Sequence, residues 1–250
     1  MKNIFLNLLK PGYFKVMFKK IFKRFEKDNS ILALKWATQK CKSSTEEICI
    51  SIDGNLFEEV KSDIKAIENK AKDRLSTLDF SLGGGGNYVL LNFLVRKFQP
   101  TCVVESGVAA GWSSLAILKA LEKNKKGFLY SSDFPYFRLK NPEKYIGFVV
   151  GEENLKSRWY LNIQGDQVAL PKIVNLLENK KINLFHYDSD KSYSGREFAI
   201  NTLSSKISTD CIIIFDDIQD NLHFKDFVEE NKMQYTVLEF KGKYVGVVGI

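Results

Sequence analysis

The sequence predicts an α/β protein with a seven-stranded, mostly parallel sheet, helices on both faces, a C-terminal antiparallel hairpin and a helical N-terminal extension. Two observations carry this. From residue 101 onward, short apolar runs alternate with helical segments, as parallel strands and their crossover helices require. At the end of the chain, two alternating runs, Gln234–Phe240 and Tyr244–Ile250, flank Lys241-Gly242-Lys243, a short glycine-containing loop that signals a hairpin.

The elements follow in order. Within the first third, Asp53-Gly54-Asn55 reads as a turn, and Asn55 with Glu58 as a capping box for a helix carrying Val60, Ile64 and Ile67 on one face. Gly83 to Gly86 form a joint, followed by an apolar helix from Tyr88 to Phe98 that stops at Pro100. The strands are Thr101–Glu105, Phe128–Asp133, Tyr160–Gln164, Ile182–Asp188 and Cys211–Phe215, separated by helices near 113–121, 168–177 and 196–203. A last helix near 222–230 precedes the hairpin. The reading divides the chain into a helical extension, 1–80, and a single domain, 81–250.

Composition narrows the class. The 250 residues are 44% hydrophobic, 13% aromatic and 27% charged, which excludes a disordered or collagen-like chain. No apolar run reaches the ~18 residues of a spanning helix, and the start lacks the pattern of a signal peptide. Four cysteines without a CxxC pair, and two histidines, point to a reduced, cytoplasmic protein without zinc; Cys102 and Cys211 read as buried small hydrophobes. Residues 1–30 carry eight basic side chains against Glu26 and Asp28, whereas the other 220 carry 29 basic and 28 acidic. The excess charge therefore belongs to an arm, 1–28, in which Phe14, Met17, Phe18, Ile21, Phe22 and Phe25 recur at helical spacing. Packing of that stripe on the domain or a second subunit, as a homodimer, is preferred to peripheral contact with an anionic membrane. Nucleic acid is not expected, because the rest of the chain has no basic surplus.

Ligands of open α/β sheets bind outside the carboxyl ends of the strands. The first strand ends in Glu105-Ser106-Gly107-Val108-Ala109-Ala110-Gly111-Trp112-Ser113-Ser114, where Gly107 and Gly111 allow a tight turn and Ser113 lies at the helix start, near free N–H groups. The spacing is E-x-G-x-x-x-G, not the G-x-G-x-x-G of dinucleotide binders, and it excludes an NAD oxidoreductase. Asp133 ends the second strand, placed either to hold ribose hydroxyls or to cap the next segment. Gly165, Asp166 and Gln167 end the third. Asp188 ends the fourth, and Asp216 and Asp217 follow the fifth; three carboxylates beside apolar strands call for pairing or a hard divalent cation. Lys191 stands close enough to act as a base if burial depresses its pKa. His186 reads as a core histidine.

These residues resemble class I S-adenosylmethionine-dependent methyltransferases, which are Rossmann-like. More narrowly, they resemble the metal-dependent O-methyltransferases related to the catechol and macrocin enzymes (the family-24 type), over about residues 83–250. The matching motifs are V-V-E-S-G-V-A-A-G-W-S-S at 103–114, F-H-Y-D-S-D-K-S-Y-S-G at 185–195 and I-I-I-F-D-D at 212–217. The resemblance implies that Glu105 and Gly107 line the methionine part of S-adenosyl-L-methionine, with Ser113 near its carboxylate. It implies that Asp133 holds the ribose, that Asp166 and Gln167 flank the adenine, and that Asp188, Asp216 and Asp217 bind Mg²⁺ or another hard divalent cation. Where the family-24 loop usually reads D-G-D-H-S-Y, this chain has Asp188-Ser189-Asp190-Lys191-Ser192-Tyr193; lysine in place of histidine follows the catechol enzymes, in which it is the base. The expected activity is methylation of a sugar or phenolic hydroxyl on a small molecule or glycan. The rivals are a metal-independent methyltransferase whose acidic cluster binds a substrate amine or the cofactor, and a non-catalytic cofactor-binding domain docked through its basic arm.

Overall fold

The computed structural model describes residues 2–22 and 28–250. Lys23, Arg24, Phe25, Glu26 and Lys27 of the predicted arm lie outside the described residues, as do the side chains of Ile21 and Phe22. The extension holds helices α1 (Lys2–Leu8), α2 (Tyr13–Phe22) and α3 (Ser30–Lys40), strand β1 (Cys41–Ser44) and the long helix α4 (Thr45–Leu75). The domain continues with α5 (Tyr88–Phe98), β2 (Cys102–Ser106), α6 (Trp112–Asn124), β3 (Phe128–Ser132), α7 (Glu153–Lys156) and β4 (Trp159–Asn162). Then come α8 (Asp166–Leu177), β5 (Ile182–Tyr187), α9 (Tyr193–Leu203), β6 (Ile207–Phe215), α10 (His223–Glu230), β7 (Tyr235–Phe240) and β8 (Lys243–Val248).

Among the described residues the sheet has eight strands in the order β1-β7-β8-β6-β5-β2-β3-β4. Strand β8 runs antiparallel to both neighbours, and every other pair is parallel. The seven expected strands are present. The eighth corrects the all-helical reading of the first third: Cys41, Ser43 and Ser44 pair with Val237, Leu238 and Glu239 of β7. The extension is thus built into the sheet that it was expected to precede.

Successive strand residues face opposite sides, and both sides are apolar, as a covered parallel sheet needs. Val103, Leu184, Ile212 and Ile214 pack with Val60, Ile67, Leu91, Leu94 and Leu118 of α4, α5 and α6. Val104, Phe185, Ile213 and Phe215 pack on the other face with Leu170, Ile173, Ala199 and Phe224. Cys102 and Cys211 are buried in that second layer, as expected. The helix expected from Asn55 begins at Thr45 instead, under a capping box in which Ser44 and Glu47 satisfy each other's backbone N–H. Asp53 interrupts it with extended backbone (φ −164°, ψ 90°), and its Oδ1 accepts from the Leu56 N–H at 3.0 Å. Glu58, expected in the cap, pairs with Lys61 instead. No helix among the described residues is long and apolar enough to cross a membrane.

Candidate active site

Strands β2 and β5 are neighbours whose chains leave in opposite directions, so their carboxyl ends open a crevice. A cavity of about 980 Å³ fills it. Leu9 of the α1–α2 turn and Phe14 of α2 border it, and the strand ends supply Gly107, Asp133, Gly165, Asp166, Gln167 and Asp188. Glu105, Gly111 and Ser113 lie behind this wall, and Lys191, Asp216 and Asp217 are likewise not among its lining residues.

The wall behind β2 is a web around Glu105, a fully buried carboxylate. Ser113 and Ser114 of α6 each donate a hydroxyl to it at 2.6 Å, and Ser131 of β3 donates a third at 2.8 Å. Ser113, read from the sequence as facing a ligand carboxylate, here serves the protein's own. Gly107 has φ +97°, and a Cβ there would collide with the carbonyl of Asp188, so glycine lets the β2 turn pass directly under the end of β5. Gly111 packs in the same conformation against Gly147 and Val150 rather than a ligand.

Asp133 caps the chain's own backbone, its Oδ1 accepting from the Phe134 N–H at 2.5 Å. Its Oδ2 accepts from the Val108 and Ala109 N–H groups at 2.9 and 2.5 Å, fixing the glycine turn, while the residue also lines the cavity. Burial pushes its pKa up to about 6, against the lowering effect of the Ala109, Phe134 and Val108 N–H groups. Asp166, at the start of α8, accepts the Ser132 hydroxyl at 2.6 Å and is also shifted upward by burial.

Across the cavity the carboxylates meet cations. Asp216 accepts from the Asn87 N–H at 3.2 Å and contacts His186 Nε2 at 2.8 Å through Oδ2. His186 Nδ1 lies 3.7 Å from Glu105, so the imidazole bridges the two halves of the site. Burial alone would lower its pKa; Asp216 and Glu105 outweigh this and hold it at about 10, as imidazolium. Asp217 is ion-paired with Lys191 and, at 3.0 Å, with Lys243 of β8. Arg196 of α9, buried, donates to the carbonyls of Asp216 and Asp217 at 3.0 and 2.8 Å. Asp188 is raised to about 6 by burial and by the charge of Asp216. Burial lowers the pKa of Lys191, with the Lys243 charge acting in the same direction.

The three-carboxylate set expected for a divalent cation is not assembled. Asp188 and Asp216 offer hard oxygens side by side, their Oδ2 atoms both bordering Gly86, whereas Asp217 is turned onto two lysines. Among the described residues no three His, Cys, Asp or Glu side chains are grouped as a metal site. Sequence reasoning missed Lys243, Arg196 and the coupling through His186. Lys243 and Arg196 sit in amphipathic segments with no local signal, but His186, on the same strand as Asp188 and next to the end of β2, carried one.

A methyltransferase-domain family model, Methyltransf_24, matches residues 104–218. A search of curated proteins found no match. Among solved structures, the chain resembles the O-methyltransferase TomG from Streptomyces achromogenes, involved in tomaymycin synthesis and solved with S-adenosylmethionine (TM-score 0.57, 14% identity, 74% of this chain and 89% of that one). It also resembles an O-methyltransferase from Bacillus cereus in complex with S-adenosylhomocysteine (0.55, 14%, 78% and 91%). A third is a putative O-methyltransferase from Klebsiella pneumoniae (0.51, 16%, 86% and 99%). Residues 104–218 thus match a methyltransferase-domain family, and with the glycine turn, the strand-end acids and the C-terminal hairpin in place the chain has the fold of these O-methyltransferases.

Proposed function

We propose that the protein transfers the sulfonium methyl of S-adenosylmethionine to a hydroxyl oxygen of a sugar or phenol. The observation that carries this is one cavity lined by Asp133, Asp166 and Asp188 together. Its size lies at the upper end of the roughly 300–1,000 Å³ of small-molecule sites, room for a cofactor beside an acceptor. Carboxylates on both sides favour a cationic ligand such as a sulfonium.

In this reading Asp133 accepts hydrogen bonds from the ribose, and Asp166 and Gln167 flank the adenine. Asp188 accepts the hydrogen bond of the acceptor hydroxyl and holds its oxygen in line with the methyl carbon and sulfur. The oxygen–methyl bond forms as the sulfur–methyl bond breaks, and the hydroxyl proton passes to the Lys191 amine. Burial shifts Lys191 in the direction this step needs, once its ion pair with Asp217 opens. A divalent cation bound by Asp188 and Asp216, joined by Asp217 once released from Lys191 and Lys243, would further acidify the acceptor hydroxyl.

Calorimetric titration of S-adenosylmethionine and S-adenosylhomocysteine, with Mg²⁺ and then with EDTA, tests the cofactor. Micromolar binding is expected, and no binding in either condition overturns the proposal. Methyl transfer to catechol and sugar acceptors under the same two conditions then decides whether the cation takes part.

A further inference from the structure

We propose that the outer face of α1 and α2 docks on an anionic lipid membrane. The inner face is fixed to the domain. Buried Asn7 donates to the carbonyls of Phe137 and Leu139 at 2.9 and 3.0 Å, Met17 is buried, and the Tyr13 hydroxyl donates to Glu143 at 2.6 Å. Lys10 closes the same anchor on Glu143 at 2.7 Å. The stripe expected to pack on the domain therefore divides, with Met17 inside while Phe14 and Phe18 stay outside.

Five large apolar side chains, Phe5, Leu6, Leu9, Phe14 and Phe18, stand on that outer face with 48–72% exposure. The rings of Phe14 and Phe18 stack at 5.5 Å, giving the face a ridge. A contiguous apolar face of this kind marks an interaction surface. Charge selects the occupant. Beside Lys10, which is held by Glu143, residues 1–25 contain six basic residues and no acidic one, and Lys15 and Lys19 follow Phe14 and Phe18 directly in sequence. Two copies of the arm facing each other would repel, whereas anionic headgroups complement it. A basic, acid-free segment with exposed apolar side chains has the composition of an interfacial helix. Leu9 and Phe14 also line the cavity, so docking brings the mouth of the cavity to the lipid surface.

The test is sedimentation of the full chain with phosphatidylcholine vesicles, with and without phosphatidylglycerol, at low and high salt. Binding is expected with the anionic vesicles alone and is lost at high salt. The double substitution Phe5→Ser/Leu6→Ser, outside both the cavity and the anchor, is expected to weaken binding about tenfold with an unchanged thermal transition. Equal binding to both vesicle types, or none, overturns the proposal. So does a dimer in ultracentrifugation that the double substitution dissolves, which makes the face a subunit interface. None of these readouts depends on methyl transfer.

Discussion

At the β2–β3 end of the site, Glu105, Asp133 and Asp166 are met by serine hydroxyls and backbone N–H groups. At the β5–β6 end, Asp216 and Asp217 are met by an imidazolium and two lysines, with Arg196 holding the carbonyls beneath. Neutral donors on short, buried tethers keep a carboxylate in one place. The two lysines, on long and partly exposed side chains, can let go and return. Under the proposed function, the first end would hold still beneath the cofactor and the second would exchange protons or partners.

Substituting residues at each end should break this contrast in different ways. Lys191→Ala should have the largest effect, lowering kcat by about 10²–10⁴ while calorimetry shows unchanged S-adenosylmethionine affinity; unchanged turnover would remove Lys191 as the base. Arg196→Ala should destabilise by about 3 kcal/mol in denaturant unfolding, because two carbonyls and Asn221 lose a buried donor. A small change would mean that the Asp216–Asp217 turn holds without it.

Asp133 supplies a pH test of the still end. Its folded pKa of about 6 lies above the ordinary carboxylate value of 3.8. The ligand-free protein therefore loses this contribution to stability as pH rises from about 4 through 6, because ionisation is costlier in the fold than outside it. Cofactor affinity should run the other way, falling by about tenfold per pH unit below 6 as the acceptor carboxylate is protonated. Asp133→Asn should bind about tenfold more weakly at neutral pH and show no such slope in calorimetry. Lys243→Ala should matter least for stability, within about 0.5 kcal/mol in thermal unfolding, since its side chain is 58% exposed in the pair with Asp217.

The sheet was legible because its strands are apolar on both faces; Ile212, Ile213 and Ile214 suit no other environment as well. The acids were legible for a related reason, since a carboxylate that ends such a run must emerge at a strand end. Strand β1 was not, because Cys41-Lys42-Ser43-Ser44 carries no strand signature and takes its conformation from the open edge of β7. The Ser44–Glu47 box was written in the sequence but was passed over for Asn55 and Glu58, since the turn at Asp53 bends one helix instead of starting another. Which carboxylate takes which cation is a matter of long side chains meeting across the fold. Lys243 lies 26 residues beyond Asp217, and no periodicity links the two.

Strand β1 also has a bearing on how copies of this protein can associate. Both borders of the sheet, β1 and β4, are strands of only four residues. A border so short gives an incoming strand few backbone groups to pair with, and Lys42 places an exposed charge in one of them. Without β1, the six residues of β7 would form that border, with a row of unpaired amides beside Val237 and Leu238. The N-terminal extension thus acts as a guard against sheet-to-sheet aggregation, and truncating the chain before residue 45 would expose the longer edge.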